Sequence, residues 1–263
     1  MDNNRVTVAI DKLNRIFTIP IPKVGTNFIH GYTCAKASAE VPRHRTYIDI
    51  KTQEEDVFWG VTTYEEVLEY CSDYKMFQIV RHPLERFLSG IAQVLCLQFE
   101  PDGKKTFREN GLLEVGKDYS RRLIVDFLSK HTGQSLFEKM RNNPHIREQS
   151  KILSDTTSKH KDVTWFIMDD MLAENLYHWS EYHGLQTVLL GQDKLSNLKI
   201  NSNDSLGGNP HETIRYDIYN QLMPYFYDDR FSRVFLSDIY EVLHEDFVLY
   251  EKVKKLAYRG AEQ

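Results

Sequence analysis

Apolar and polar residues alternate along RVTVAI (5–10), DKLN turns the chain, and RIFTIPI (15–21) then runs almost wholly apolar. That order predicts a hairpin or two adjacent strands. After Thr26 the spacing turns helical to about Ala37, and TYIDI (46–50) is a short strand candidate. TTYEEVLEY opens with two overlapping capping-box patterns, Thr62 with Glu65 and Thr63 with Glu66, which start a helix. KMFQIV (75–80) is a continuous apolar run with one glutamine and reads as a central strand ending at Arg81. Pro83 suits the first turn of the next helix, whose core face is Leu84, Leu88, Ile91 and Leu95. Residues 100–117 form a Gly- and charge-rich loop, YSRRLIVDFLSK (119–130) resumes helix, and VTWFIM (163–168) is a second buried strand. DDMLAENLYHWSEYHGL (169–185) reads as a helix ending at Gly184, and TVLLG (187–191) as a last short strand. NSNDSLGGNP (201–210) is a loop, followed by amphipathic segments at about 211–222 and 231–255.

Strands alternating with helices, without internal repeats, predict an α/β fold: a three-layer domain whose mostly parallel central sheet is flanked by helices. At 263 residues the chain is expected to form one domain, 1–263. Ligands in such folds bind at the C-terminal ends of strands, where Lys23 and Arg81 are both expected.

The net charge of −5 removes the electrostatic footprint of a nucleic-acid partner, so any polyanion must be held by a local basic pocket. Cys34, Cys71 and Cys96 match neither a zinc site nor a disulfide framework and read as buried thiols. The histidines are scattered, and no metal cluster is visible. MDNNRVTVAI lacks the pattern of a signal peptide, and no apolar run approaches the roughly 18 residues of a membrane span. A soluble, cytoplasmic protein is the expectation.

Two stretches carry candidate chemistry. In IPIPKVGTNFI (19–29), Gly25 permits close approach of the backbone to an anion, Thr26 and Asn27 offer donors, and Lys23 adds a point charge. A plain strand-to-helix turn capped by Thr26 fits the same residues. In IVRHPLERFLSG (79–90), Arg81 leaves a strand, and Arg86 and Ser89 share a helix face. These residues could serve a second phosphate, or an arginine of the stretch could pair with Glu85 while the serine bonds back within its helix. The lysine precedes the glycine, the reverse of the P-loop NTPase signature.

PKVGTNF resembles the 5′-phosphosulfate loop of sulfotransferases, Pro-Lys-x-Gly-Thr-(Thr/Ser)-aromatic or aliphatic. VRHPLERFLSG resembles their 3′-phosphate motif, Arg-(Asp/His)-Pro-x-x-Arg-x-x-Ser, in wording closest to the carbohydrate (Golgi-type) branch and its bacterial and viral relatives. NPHIREQSKIL (143–153) is similar to a His-x-x-(Pro/Glu)-Gln segment of that branch, and further likeness extends over about 15–253. Asn27 departs from the usual hydroxyl residue, and Gly90-Ile91 from the usual small-Tyr pair.

The resemblance implies a P-loop-like fold and transfer of a sulfuryl group from 3′-phosphoadenosine 5′-phosphosulfate (PAPS), leaving PAP, without a metal. Lys23, Gly25, Thr26, Asn27 and Phe28 would bind the phosphosulfate, with Lys23 also catalytic. Arg81, Arg86 and Ser89 would serve the 3′-phosphate. The acceptor would be a hydroxyl, a sugar ahead of a peptide or small metabolite. His145 is the first candidate for general base, Glu148 the second, and His44 the next. The competing reading is a nucleotide-dependent kinase, in which Asp169 or Asp170 would hold magnesium; another is a nucleotide-binding protein without catalysis.

Overall fold

The alternating segment and the apolar one after it fold as the antiparallel hairpin their pattern predicts, β1 (Arg5–Asp11) and β2 (Ile16–Thr18). Asp11 closes the turn: its carboxylate accepts from the Asn14 backbone N–H at 3.0 Å and from the Asn14 side-chain amide at 2.6 Å. The computed structural model describes residues 5–37, 43–97, 133–140, 143, 145–157, 160–185, 219–220 and 233–260. After the hairpin come α1 (Thr26–Ala37), β3 (Arg43–Tyr47), β4 (Val57–Thr63), α2 (Tyr64–Tyr70), β5 (Lys75–Val80) and α3 (Pro83–Leu97). Next are α4 (Gly133–Met140), α5 (Gln149–Thr157), β6 (Val163–Ile167), α6 (Leu172–Tyr182), α7 (Arg233–Val242) and α8 (His244–Gly260).

The strands form one sheet in the order β3-β4-β1-β2-β5-β6. Neighbours β2/β5, β5/β6 and β3/β4 are parallel, whereas β1 is antiparallel to both β2 and β4. The α/β class holds, and the sheet is mixed: β1 runs against the other five strands, which share one direction. The cause is local: a short turn joins β1 to β2, and such a turn can only reverse the chain.

Sequence and structure part at several elements. The strand expected at 46–50 lies at 43–47, and Ile50–Thr52 is a 3₁₀ turn capped by Asp49, which accepts from the Lys51 N–H at 2.9 Å. β4 is absent from the pattern reading because Gly60 interrupts it. A Cβ at Gly60 would lie 1.9 Å from Ile48 Cδ1, so glycine is what lets Ile48 cover this strand. Of the two capping boxes, only Thr63 with Glu66 forms. The predicted C-terminal segment breaks at Leu243 into α7 and α8. α6 starts at Leu172 rather than 169 and ends at Tyr182, with His183 as its cap and Gly184 just beyond at φ +60°. The features expected at 100–117, 119–130, 187–191 and 201–210, and most of 211–222, lie outside the described residues.

The chain divides into two compact units, one drawn from 1–81, 149–202 and 250–263, the other from 82–148 and 203–249. The first holds the whole sheet. Its aromatic core centres on Phe77, whose ring lies 6.0 Å from Tyr32, 6.5 Å from Phe166 and 5.7 Å from Trp179. Buried Ser180 donates to Leu176 O at 2.8 Å, so its single proton is committed and the Tyr32 hydroxyl is the donor in the short Tyr32–Ser180 bond. That bond ties α1 to α6. Trp59 Nε1 donates to Thr33 Oγ1 at 3.1 Å, and Trp179 Nε1 to Thr164 Oγ1 at 3.0 Å. Cys71 is a buried thiol, its pKa pushed up to about 12 by burial. In the second unit α3 buries Leu84, Phe87, Leu88 and Ile91, and Phe87 packs at 6.4 Å from Phe137 of α4.

Candidate functional site

Strands β2, β5 and β6 run parallel, so their C-terminal exits lie on one edge of the sheet, the edge at which ligands bind in α/β folds. The exit of β2 is Ile19-Pro20-Ile21-Pro22. Pro20 and Pro22 have no N–H to continue a ladder. The Val24 N–H closes back on Ile21 O at 3.1 Å, making a turn with Pro22 and Lys23 at its centre. Lys23 sits there at φ +67°, in the second central position that usually takes glycine. A side chain in this left-handed region costs about 1–2 kcal/mol. A lysine held at that cost is the kind of backbone outlier that gathers at ligand sites. Gly25 follows at φ +64°.

Helix α1 begins directly after this turn. Its first intrahelical bond runs from the Ile29 N–H to Gly25 O at 2.8 Å, so the amides of Thr26, Asn27 and Phe28 precede the ladder, as in any helix start. Thr26 Oγ1 donates to Ile21 O at 3.1 Å and pins the loop closed. The first turn carries no acidic residue, which leaves the positive end of the helix dipole available to an anion. A Cβ at Gly25 would meet only Met168 Sδ and Phe28 Cβ, both at 3.8 Å. Phe28 itself is buried and acts as an anchor for the loop. Left-handed Lys23 and Gly25 and the helix start thus make a donor set of the kind that suits an anion.

The structure brings Arg81 to the same loop: its Nη1 donates to the carbonyl of Lys23 at 3.3 Å. Arg81 is itself held by Gln149, the first residue of α5. Gln149 Nε2 donates to Arg81 O at 2.8 Å, and Gln149 Oε1 accepts from the Arg81 N–H at 3.3 Å. The third exit, after β6, begins with the Met168 N–H donating to Val80 O at 2.8 Å. Asp169 then uses its carboxylate to accept from the Met171 N–H at 3.0 Å, a turn that leads into α6. This is the local capping role of an aspartate before a helix.

The remaining candidates, His44 apart, belong to the second unit. Arg86 and Ser89 share the buried face of α3, at 1 % and 4 % exposure, with the Arg86 N–H bonded to His82 O at 3.0 Å. His145 does not start a helix with Glu148 in its first turn. Asn143 hangs a turn instead: its side chain accepts from the His145 N–H at 2.9 Å, and its carbonyl accepts from the N–H groups of Ile146 and Arg147, each at 2.9 Å. The helix begins only at Gln149, and Glu148 is buried. This turn lies against α3 at Gly90, where a Cβ would come within 2.5 Å of both the His145 carbonyl and Ile146 Cδ1. That close approach explains why this chain has glycine at 90. His44 falls in β3.

Sequence reasoning missed Gln78 and Gln149 as parts of the site. A visible signal existed for the first, a lone glutamine inside the apolar run KMFQIV. The model of the sulfotransferase family matches residues 6–252. No curated protein and no solved structure matches the chain.

Proposed function

This chain belongs to the sulfotransferase family, and from that premise we propose that it transfers a sulfuryl group from PAPS to an acceptor hydroxyl, a sugar hydroxyl first among the candidates. The observation that carries the proposal is the turn at Lys23. A lysine in a glycine conformation, on a loop that ends at a helix start and accepts a hydrogen bond from Arg81, supports recognition of an anion by charge and backbone amides together.

When bound, PAPS supplies the sulfuryl group and a phosphate leaving group. The amides of Thr26, Asn27 and Phe28 and the Lys23 ammonium hold the 5′-phosphosulfate and stabilise the charge that grows on its bridging oxygen. The acceptor oxygen forms a bond to sulfur as the sulfur–oxygen bond to phosphate breaks, and a general base takes the hydroxyl proton. The motif resemblance alone supports the other roles: Arg81, Arg86 and Ser89 toward the 3′-phosphate, and His145, with Glu148 second, as the base.

Calorimetry against nucleotides tests the donor. Adenosine 3′,5′-bisphosphate is expected to bind at least tenfold more tightly than AMP, since charge-assisted contacts contribute about 1.5–3 kcal/mol each. Equal affinities, or a magnesium-dependent preference for ATP, would sink the donor assignment. A screen of radiolabelled sulfate transfer over sugars, peptides and small alcohols identifies the acceptor class.

A further inference from the structure

Two glutamine side chains, both completely buried, do one job at two adjacent strand exits. Strands β2 and β5 are in register at Ile16/Lys75 and Phe17/Met76, and the assigned β2 ends at Thr18. At Ile19 the Gln78 side chain takes up the hydrogen bonding: Nε2 donates to Ile19 O at 3.0 Å and Oε1 accepts from the Ile19 N–H at 3.3 Å. Gln149 treats Arg81 in the same way, donating to its carbonyl at 2.8 Å and accepting from its N–H at 3.3 Å. A carboxamide has one acceptor oxygen and a donor nitrogen, the same pair as a peptide group. Each glutamine therefore stands in for a neighbouring strand residue at a point where the chain is leaving the sheet.

The two clamped residues are those from which the anion loop hangs. Pro20 and Pro22 have no N–H, so Ile19 and Ile21 carry the backbone donors of this segment ahead of the turn at Lys23, and Ile19 is the one that Gln78 holds. Arg81 carries the guanidinium that bonds the Lys23 carbonyl at 3.3 Å. Buried N–H and C=O groups left without a partner are costly, so an apolar side chain at 78 or 149 would expose the clamped backbone to local rearrangement.

We infer that Gln78 and Gln149 are positioning residues of the anion site, fixing the Lys23 turn from two sides, Gln78 through Ile19 and Gln149 through Arg81. Neither touches the transferred group. The link to catalysis rests on the donor reading given above; the clamp itself does not.

Hydrogen–deuterium exchange, read by mass spectrometry on the full chain, separates the two. Gln149→Met is expected to speed exchange about tenfold in peptides covering 19–29 and 79–82, with the peptide over β1 unchanged. Gln78→Met should speed 19–29 and spare 79–82. Arg81→Lys removes the guanidinium bond to Lys23, so it should speed 19–29, and adding Gln149→Met should speed that peptide no further. Gln149→Glu covers the case of a methionine variant that fails to fold. Its carboxylate can accept from the Arg81 N–H but not donate to the carbonyl, and protonation restores the donor, so its excess exchange should shrink as pH is lowered once intrinsic rates are divided out. Exchange over 19–29 equal to wild type in the folded Gln149 variants overturns the clamp. In parallel, affinity for adenosine 3′,5′-bisphosphate should fall about tenfold in each glutamine variant. No nucleotide binding by the wild-type chain would overturn the donor reading, and the exchange comparison would still decide the clamp.

Discussion

The sheet has two halves that solve the same backbone problem differently. On one side β1 and β4 stay in register over seven pairs, from Arg5↔Thr63 to Asp11↔Val57. On the other, β2 and β5 hold two registered pairs, after which the Gln78 carboxamide bonds Ile19. In the regular half the ladder satisfies the main chain, and side chains are left to pack. Where the strands end, side chains take over main-chain hydrogen bonding, and the backbone adopts conformations that cost energy. The loop at Lys23 is in that second half. A regular ladder offers no amide to a ligand; an interrupted one can.

The largest effect expected from this contrast is at Lys23. Replacing it with glycine, Lys23→Gly, relieves the left-handed strain and removes the charge. Turnover should drop by about 10²–10³-fold, the range for loss of one preorganised donor, while the urea midpoint holds steady or rises. A variant that loses stability along with activity would make Lys23 a structural residue and blunt the contrast between the halves.

In the regular half the sensitive position is Gly60. Gly60→Ala places a Cβ against Ile48 Cδ1 and Cγ1 and should cost about 1–3 kcal/mol in a denaturant titration. Ile48→Ala in the same chain should recover part of that loss. Nucleotide affinity of the folded protein should not change, because the effect is one of packing.

Gly25→Ala probes the other half at smaller magnitude. Its Cβ has room, 3.8 Å from its nearest neighbours, so the cost comes from φ alone, about 1–2 kcal/mol. The loss should appear in stability and in affinity for the bisphosphate nucleotide together, unlike Gly60→Ala.

The smallest effect is acid-dependent and belongs to the end of β4. Hydrogen bonds from the Thr62 hydroxyl, then the Tyr47 phenol, hold the Glu66 carboxyl down at about 2, against an ordinary 4.5. A depressed carboxyl stabilises the fold above its unfolded pKa and loses that contribution as pH falls towards its folded one. The stability difference between wild type and Glu66→Gln should therefore be constant above about pH 5 and shrink between pH 4.5 and 2. A difference that stays flat across that window would show that the carboxylate contributes nothing through its charge.

Legibility did not follow that division: β5, in the irregular half, could be read from its apolar run, whereas β4, in the regular half, could not. The hairpin, the Thr63–Glu66 box and the two apolar runs that became β5 and β6 follow from periodicity and capping chemistry. β4 escaped because the requirement for Gly60 is set by Ile48, twelve residues away, and no local pattern encodes that. Lys23, Gly25 and Arg81 could be named from motif order, yet their mutual geometry could not. The bond from Arg81 to the Lys23 carbonyl spans 58 residues, and Gln149 reaches Arg81 across 68. The turn at His145 is set by the Asn143 side chain, which accepts from the His145 N–H, and periodicity carries no sign of that bond.

The placement of the indoles has a practical consequence. The chain's three tryptophans, Trp59, Trp165 and Trp179, all fall in the unit that contains the sheet, and Trp59 is hydrogen-bonded to the helix that starts after the Lys23 turn. Intrinsic emission is thus a local optical probe of that unit, whereas far-ultraviolet ellipticity sums the helices of both. Two melting curves recorded in one cuvette, one by each signal, coincide if the molecule unfolds in a single step and separate if its units do not melt together.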